Sequence, residues 1–209
     1  MNRPVFRRQG ILFVISAASG TGKTTLCENL RATPDFIYSV SCTTRPPRSG
    51  EVDGTDYHFL RQEEFLSRIH RGEMLEYAQV HGNYYGTLKA TVKEALAQGT
   101  DVLLDIDVQG AASIRQTDDV TVRDSLVDVF IMPPTLDELE KRLRKRGSET
   151  EEQVQQRLRT GREELKLWPL YKYTILSGSM EEDLIKFRAI MRAERYLSRR
   201  LELNEEKPV

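Results

Sequence analysis

Short runs of apolar residues alternate along the chain with segments of helical periodicity. Such runs predict buried strands, and they lie near residues 11, 37, 102, 127 and 174. The runs near 11 and 127 are almost continuously apolar, as is typical of strands covered on both faces. Strands that alternate with helices favour a parallel sheet with right-handed crossovers. The pattern therefore predicts an α/β fold with a five-stranded parallel sheet.

Helical periodicity fills most of the intervals between these strands. Predicted helices cover residues 24–31, 62–71, 91–98, 109–116, 136–146, 151–166 and 183–203. The last helix carries an amphipathic stripe of Ile185, Ala189, Arg192, Tyr196 and Arg199. We expect this helix to pack on the core, with a contact to a partner as the alternative.

Residues 42–88 differ in pattern from the flanking α/β units. The stretch 43–54 holds two prolines, two glycines and four charged residues, a composition that predicts an exposed loop. Short strands are predicted at 57–60, 74–80 and 83–86, around the 62–71 helix. This segment is therefore predicted to be a compact insertion.

The charge balance excludes some classes of partner. Lys and Arg total 31 and Asp and Glu total 32, so the formal net charge is −1. The net charge therefore provides no general attraction for nucleic acid or for an anionic membrane. The two cysteines are too few for a disulfide framework, and no apolar stretch approaches the roughly 20 residues of a membrane-spanning helix. We expect a soluble, cytoplasmic protein, and leave open whether it is a monomer or a homo-oligomer.

A run of small residues follows the first predicted strand and leads directly into a helix. It fits the phosphate-binding loop pattern, with Ala17 at the usual first glycine. Small residues let successive backbone N–H groups face a polyphosphate, and the helix N-terminus adds its dipole. The candidate ATP-binding residues are Ala17, Ala18, Ser19, Gly20, Thr21, Gly22, Lys23, Thr24 and Thr25. The alternative is a strand–turn–helix joint with a chance lysine.

Further motifs follow the loop in a fixed order. They are the stretches 41–51 (SCTTRPPRSGE), Asp56-Tyr57, Glu76, 82–86 (GNYYG) and 104–110 (LDIDVQG). Together with the loop, over about residues 10–195, they resemble the guanylate kinase family. The resemblance implies transfer of a phosphoryl group from ATP to GMP. It also implies a P-loop three-layer sandwich with three parts: a core (1–41, 89–133 and 164–209), a GMP-binding insertion (42–88) and a helical lid (134–163).

Two arginines and two tyrosines are the candidates for holding the GMP phosphate. Arg45 and Arg48 lie three residues apart on the proline-rich loop and can fork onto the phosphate oxygens. Tyr57 and Tyr85 can add hydroxyl donors. The alternatives are a solvated loop and an aromatic patch.

The guanine base requires a different partner. Its N1–H and 2-amino donors match a carboxylate, which the resemblance assigns to Glu76, with Asp107 as the second candidate. Ser41 and Thr87 complete the predicted contacts to the base edge, and Ser41 faces O6.

The transfer step is assigned to cations. The resemblance makes Lys23, Arg45, Arg146 and Arg157 the catalytic candidates, and it places Arg142 over the adenine or in lid packing. A solvated helix face is the alternative for the lid arginines. Mg²⁺ is expected with ATP, held by the Thr24 hydroxyl and by Asp105 through water, unless Asp105 caps the following helix.

The sequence departs from the family pattern at two places: the first is expected to make the loop slightly less rigid, and the second weakens the predicted contact to adenine. The loop has Ala17-Ala18 where the family commonly has a proline in second place. The last strand ends in Ser177-Gly178, where the family usually has Asn-Asp. Two other hypotheses stay open: a P-loop kinase for another acceptor, and an inactive scaffold that binds phosphopeptides. Scaffolds of that kind typically lose the loop lysine, whereas Lys23 is present.

Overall fold

The computed structural model describes residues 6–18, 20–80, 82–145 and 150–203. Its strands are β1 (Phe6–Arg8), β2 (Leu12–Ala17), β3 (Ile37–Tyr38), β4 (Cys42–Thr43), β5 (His58–Phe59), β6 (Met74–Val80), β7 (Asn83–Leu88), β8 (Val102–Asp105), β9 (Leu126–Met132), β10 (Tyr173–Leu176) and β11 (Leu201–Leu203). Its α-helices are α1 (Lys23–Arg31), α2 (Gln62–His70), α3 (Lys89–Ala97), α4 (Val108–Arg115), α5 (Val120–Ser125), α6 (Leu136–Lys145), α7 (Glu151–Leu165) and α8 (Met180–Arg195). Turns of 3-10 helix lie at Trp168–Leu170 and Ser198–Arg200.

Five parallel strands form the central sheet, in the order β10-β9-β2-β8-β3. Every residue of β2 is buried, and successive side chains point to opposite faces. Phe13 and Ile15 pack with α1 and α8 on one face. Leu12 and Val14 pack with α3, α4 and α5 on the other. The sheet is thus covered by helices on both sides, which confirms the predicted α/β class.

A second sheet of four strands has the order β5-β4-β7-β6. β6 and β7 form an antiparallel hairpin, and β4 pairs antiparallel with β7 and parallel with β5. Phe65 of α2 is fully buried beside Cys42 and Met74. All of these elements lie between residues 42 and 88, so this segment has a hydrophobic cluster of its own.

Helices α6 and α7 pack on each other through a separate apolar cluster. Its buried members are Leu139, Leu143, Val154 and Leu158. A capping box formed by Thr150 and Gln153 starts α7. Exposed ion pairs, such as Arg144 with Glu140, lie on the outside of α6. The two charged helices are therefore held together by a narrow apolar stripe.

The end of the chain differs from the prediction. The helix predicted over 183–203 is α8, which ends at Arg195. The chain then extends into β11, which pairs antiparallel with β1. Charge pairing explains the change of direction: Arg200 is buried, and it donates hydrogen bonds to Glu194 and to the carbonyl oxygen of Asp124.

Helix α8 packs on the core, as expected of the terminal helix, but through residues other than those of the amphipathic stripe. Ile185 and Tyr196 are exposed, at 62% and 81% of their surface, whereas Phe187 and Met191 are buried. The buried face of α8 also contains Glu194, which is charged and therefore does not follow the apolar pattern of that face.

Two shorter elements also differ from the sequence pattern. The strand predicted near residue 37 contains only the two residues of β3. The short helix α5 was not predicted. Elements this short give too few repeats for a period to be recognised. Within the described ranges, no helix is both long and apolar enough to cross a membrane.

Candidate active site

The loop after β2 turns sharply and exposes backbone N–H groups. Gly20 and Gly22 have φ values of 95° and 101°, in the left-handed region that favours glycine. Gly22 is the N-cap of α1, and no side chain caps the helix there. The first turn of α1 therefore keeps N–H groups for an anion. The Thr21 hydroxyl donates to the Ala18 carbonyl oxygen at 2.7 Å and braces the loop; Ser19 lies outside the described residues.

The loop also contacts the pair of charged helices. A side chain at Gly20 would place its Cβ 2.8 Å from Leu143 of α6. Arg142, which precedes Leu143 on α6, donates to the Thr21 carbonyl oxygen at 2.9 Å and lies 3.5 Å from the Ser177 hydroxyl. Arg142 thus joins the phosphate loop to the end of β10, where the family's usual Asn-Asp is replaced.

Lys23 and Asp105 form an ion pair at the floor of the site. The Lys23 Nζ lies 2.5 Å from Asp105 Oδ1 and donates to the Ile106 carbonyl oxygen at 2.9 Å. Burial is the largest single influence on Lys23 and opposes its charge, but the interactions with Asp105, Cys27 and Asp107 together outweigh it and raise the pKa of the lysine. Asp105 does not cap the next helix, since the Asp107 carboxylate accepts the Gly110 N–H that caps α4.

A cavity bordered by cations lies beside this pair. Its wall contains Thr24, Cys27, Glu28, Arg31, Tyr38, Arg45, Arg48, Glu51, Asp56, Tyr57, Tyr85 and Asp105. Arg45 makes a two-pronged ion pair with Glu51, at 2.9 and 2.8 Å. Its guanidinium also lies 5.4 Å from the centre of the Tyr57 ring. The cavity therefore brings together all four residues predicted to hold the acceptor phosphate.

Glu51 was not singled out in the sequence. Its carboxylate also accepts the Arg48 backbone N–H, at 2.6 Å. The hydrogen bonds from Arg45 and Arg48 lower the pKa of Glu51 to about 2, so it stays charged at neutral pH. The carboxylate thus orients Arg45 and shapes the loop. The only sequence signal was an acidic residue in a loop with two arginines.

A second cavity of about 170 Å³ opens next to the first. Ser41, Glu76 and Asp107 line it, together with Tyr57, Ala78, Val80, Tyr85, Gly86, Asp105 and Ile106. Apart from the carboxylates and hydroxyls, its walls are apolar. The shape and the polar edge suit a flat heterocycle with hydrogen-bond donors.

Glu76 is the most unusual titratable group of this cavity. It is only 5% exposed, and burial raises its pKa to about 7. The Thr87 hydroxyl donates to Glu76 Oε1 at 2.7 Å, which opposes the shift, whereas the Asp107 carboxylate adds to it. Thr87 is fully buried behind Glu76 and does not line the cavity. In this structure Thr87 orients the Glu76 carboxylate, and its predicted contact with the base stays a prediction.

Several of the predicted site residues line neither cavity, and Arg157 and Thr25 are among them. Arg157 is half-buried on α7, and it lines neither cavity. Thr25 is exposed on α1. Arg146 lies outside the described residues, so its predicted role over the phosphoryl group stays a prediction.

The fold and the site define a P-loop phosphotransferase with an acceptor pocket beside its phosphate loop. Comparison with known proteins agrees: the guanylate kinase family model matches residues 9–194. A guanylate kinase of Maricaulis maris is 46% identical over 195 residues, covering 92% of this chain and 88% of the relative. A guanylate kinase of Clostridium perfringens is 43% identical over 207 residues, covering 98% and 93%. The crystal structure of guanylate kinase from Anaplasma phagocytophilum superposes with a TM-score of 0.75 at 33% identity, covering 95% of this chain and 93% of that one. The chain belongs to the guanylate kinase family.

Proposed function

We propose that this protein transfers the γ-phosphoryl group of ATP to GMP, giving ADP and GDP. The observation that carries the proposal is the continuity of the site. Asp105, Tyr57 and Tyr85 line both cavities, so the phosphate loop, the cation-lined cavity and the Glu76 cavity form one surface. A nucleoside monophosphate with its base at Glu76 would direct its phosphate toward Lys23.

Guanine matches the polar edge of the base cavity. Its N1–H and 2-amino group are adjacent donors, and the two oxygens of the Glu76 carboxylate accept both. Adenine would instead place its N1 lone pair against the carboxylate, which is repulsive. Because the pKa of Glu76 is about 7, GMP binding favours the ionised form and releases a proton when the carboxyl starts out neutral.

The acceptor phosphate is the nucleophile of the reaction. One of its oxygens forms a bond to the γ-phosphorus, and the bond from that phosphorus to the bridging oxygen of ADP breaks. The acceptor oxygen is already anionic, so no general base is required, and catalysis depends on positioning and charge. Arg45 and Arg48 hold the acceptor, and Lys23 neutralises charge on the donor phosphates. The lid arginines Arg146 and Arg157 are assigned to the transferring group.

The residues near Lys23 also fit the expected Mg²⁺. Thr24 and Asp105 offer a hydroxyl and a carboxylate on the wall of one cavity, and oxygen is the donor that Mg²⁺ prefers. Bound Mg²⁺ would supply charge neutralisation on the β- and γ-phosphates. Asp105 would exchange its contact with Lys23 for this role, which would free the lysine to reach the phosphates.

The three-part organisation and the location complete the proposal. Residues 42–88 bind GMP, 134–163 close over the transferring group, and the remaining segments form the core. We place the activity in the cytoplasm, where ATP and GMP are available and the buried thiols of Cys27 and Cys42 stay reduced. The first assignment predicts that GMP, and not AMP, protects the 42–88 amides from hydrogen exchange.

The test of the function is ADP release with a panel of acceptors. We expect turnover with GMP and little with AMP, dTMP or CMP. Equal rates with AMP would refute the guanine assignment and favour a P-loop kinase of other specificity. Folded protein that turns over none of these acceptors would instead favour the scaffold hypothesis.

A further inference from the structure

Arg31 connects the phosphate-loop helix to the acceptor segment. It lies in the last turn of α1, the helix that begins at Lys23. Its guanidinium carbon lies 4.7 Å from the centre of the Tyr38 ring. The same group donates a hydrogen bond to the Thr55 carbonyl oxygen and lies 3.8 Å from the Asp56 carboxylate. Arg31 therefore contacts both the core and the 42–88 segment.

The acceptor side of this contact is an ordered turn. The Val52 N–H donates to Asp56 Oδ2 at 2.8 Å, and the Asp56 N–H donates to the Val52 carbonyl oxygen at 2.9 Å. The residue that follows is Tyr57, whose ring lines both cavities. A shift of this turn would therefore move a wall of the acceptor site.

We propose that Arg31 is a positioning residue: it ties the turn before Tyr57 to α1 and so sets the acceptor phosphate against the donor loop. This inference rests on the proposed function, because it assigns GMP to the cavity. The Arg31 guanidinium contacts Tyr38, Thr55 and Asp56. Its charge therefore interacts with groups of the protein itself. The Arg31 and Asp56 side chains are each about one-third exposed. Because solvent reaches this contact, it can form and break as the acceptor enters.

Arg31 also lines the cavity that contains Arg45 and Arg48, which suggests a competing role as a third cation on the acceptor phosphate. The two roles differ in their dependence on Asp56. If Asp56 acts only by holding Arg31, its removal changes nothing further once Arg31 is gone, whereas a direct cation acts without its carboxylate partner. A double-mutant cycle separates them.

The experiment measures the Kd for GMP by calorimetry for wild type, Arg31→Met, Asp56→Asn and the double variant. Asparagine keeps an acceptor for the Val52 N–H, so the turn itself is preserved. We expect Arg31→Met to weaken GMP binding about tenfold, Asp56→Asn to weaken it less, and the double variant to be no weaker than Arg31→Met. ATP binding should change less than about twofold. Arg192→Met, at an exposed arginine of α8, is the matched control and should change neither.

Additive losses in the double variant would overturn the proposal in favour of a direct phosphate contact. Unchanged GMP binding in Arg31→Met would overturn it outright. So would equal losses for ATP and GMP together with a lower melting temperature, because these indicate a merely structural role. The acceptor panel with wild-type protein decides the proposed function separately, and the binding cycle can be read whether or not transfer occurs.

Discussion

Replacing Glu76 by glutamine should make the protein more stable and less able to use GMP. The carboxylate is buried, and its hydrogen-bond donor in the described part of the chain is the neutral Thr87 hydroxyl. Glutamine has the same shape and keeps an oxygen for Thr87, but it never ionises. The substitution therefore removes the cost of burying a charge while leaving the packing in place.

The size of the effect follows from the pKa. The pKa of Glu76 rises from 4.5 to about 7 on folding, so its contribution to stability is complete below about pH 4.5 and is lost as the pH rises through 7. The difference corresponds to about 3 kcal/mol at high pH, since each tenfold factor is worth about 1.4 kcal/mol. Glu76→Gln should thus raise the free energy of unfolding by about 3 kcal/mol near pH 8.5 and by under about 0.5 kcal/mol near pH 4.5.

Urea unfolding of both proteins across this pH range measures the difference directly. A pH-independent difference would refute the assignment of a raised pKa to Glu76. In the same variant, kcat/KM for GMP should fall about 100-fold, because a charged acceptor of two guanine donors is lost. Thr87→Val is the matched control for loss of the hydrogen bond without loss of the carboxylate.

Three further substitutions test other parts of the site. Lys23→Met should lower kcat about 100-fold or more while the protein stays folded, since the loop is braced by Thr21 and not by the lysine; an unchanged kcat would contradict the role of Lys23. Arg142→Met should raise KM for ATP roughly threefold to tenfold and leave KM for GMP unchanged, because Arg142 contacts the donor loop; a change confined to GMP would count against this. Glu51→Gln should raise KM for GMP about tenfold through a misplaced Arg45, equally at every pH well above the Glu51 pKa of about 2; a KM effect that disappears between about pH 6 and 9 would contradict it.

Elements with strong repeats were predictable from the sequence. The bounds predicted for β6 agree with the structure, and β9 and β10 lie where strands were predicted near residues 127 and 174, because continuous or alternating apolar residues carry a clear signal. The phosphate loop was equally clear, since glycines at Gly20 and Gly22 and the lysine that follows serve a backbone geometry that few other residues permit.

Contacts between distant charged residues could not be predicted in this way. Glu194 and Arg200 are buried together although charged side chains are mostly exposed in proteins, and their pairing redirects the chain after α8. Likewise, Glu51 accepts a hydrogen bond from Arg45 within a loop. The loop has no hydrophobic periodicity from which this contact could be predicted. Burial of a charge depends on which partner the fold brings to it, and that information lies in tertiary structure.

Phosphoryl transfer to GMP is tested most directly by following the label from ATP that carries a labelled γ-phosphate. The label should appear in the β-phosphate of GDP, in step with ADP, only when GMP is present. Label released as inorganic phosphate, or label transferred to AMP as readily as to GMP, would contradict it.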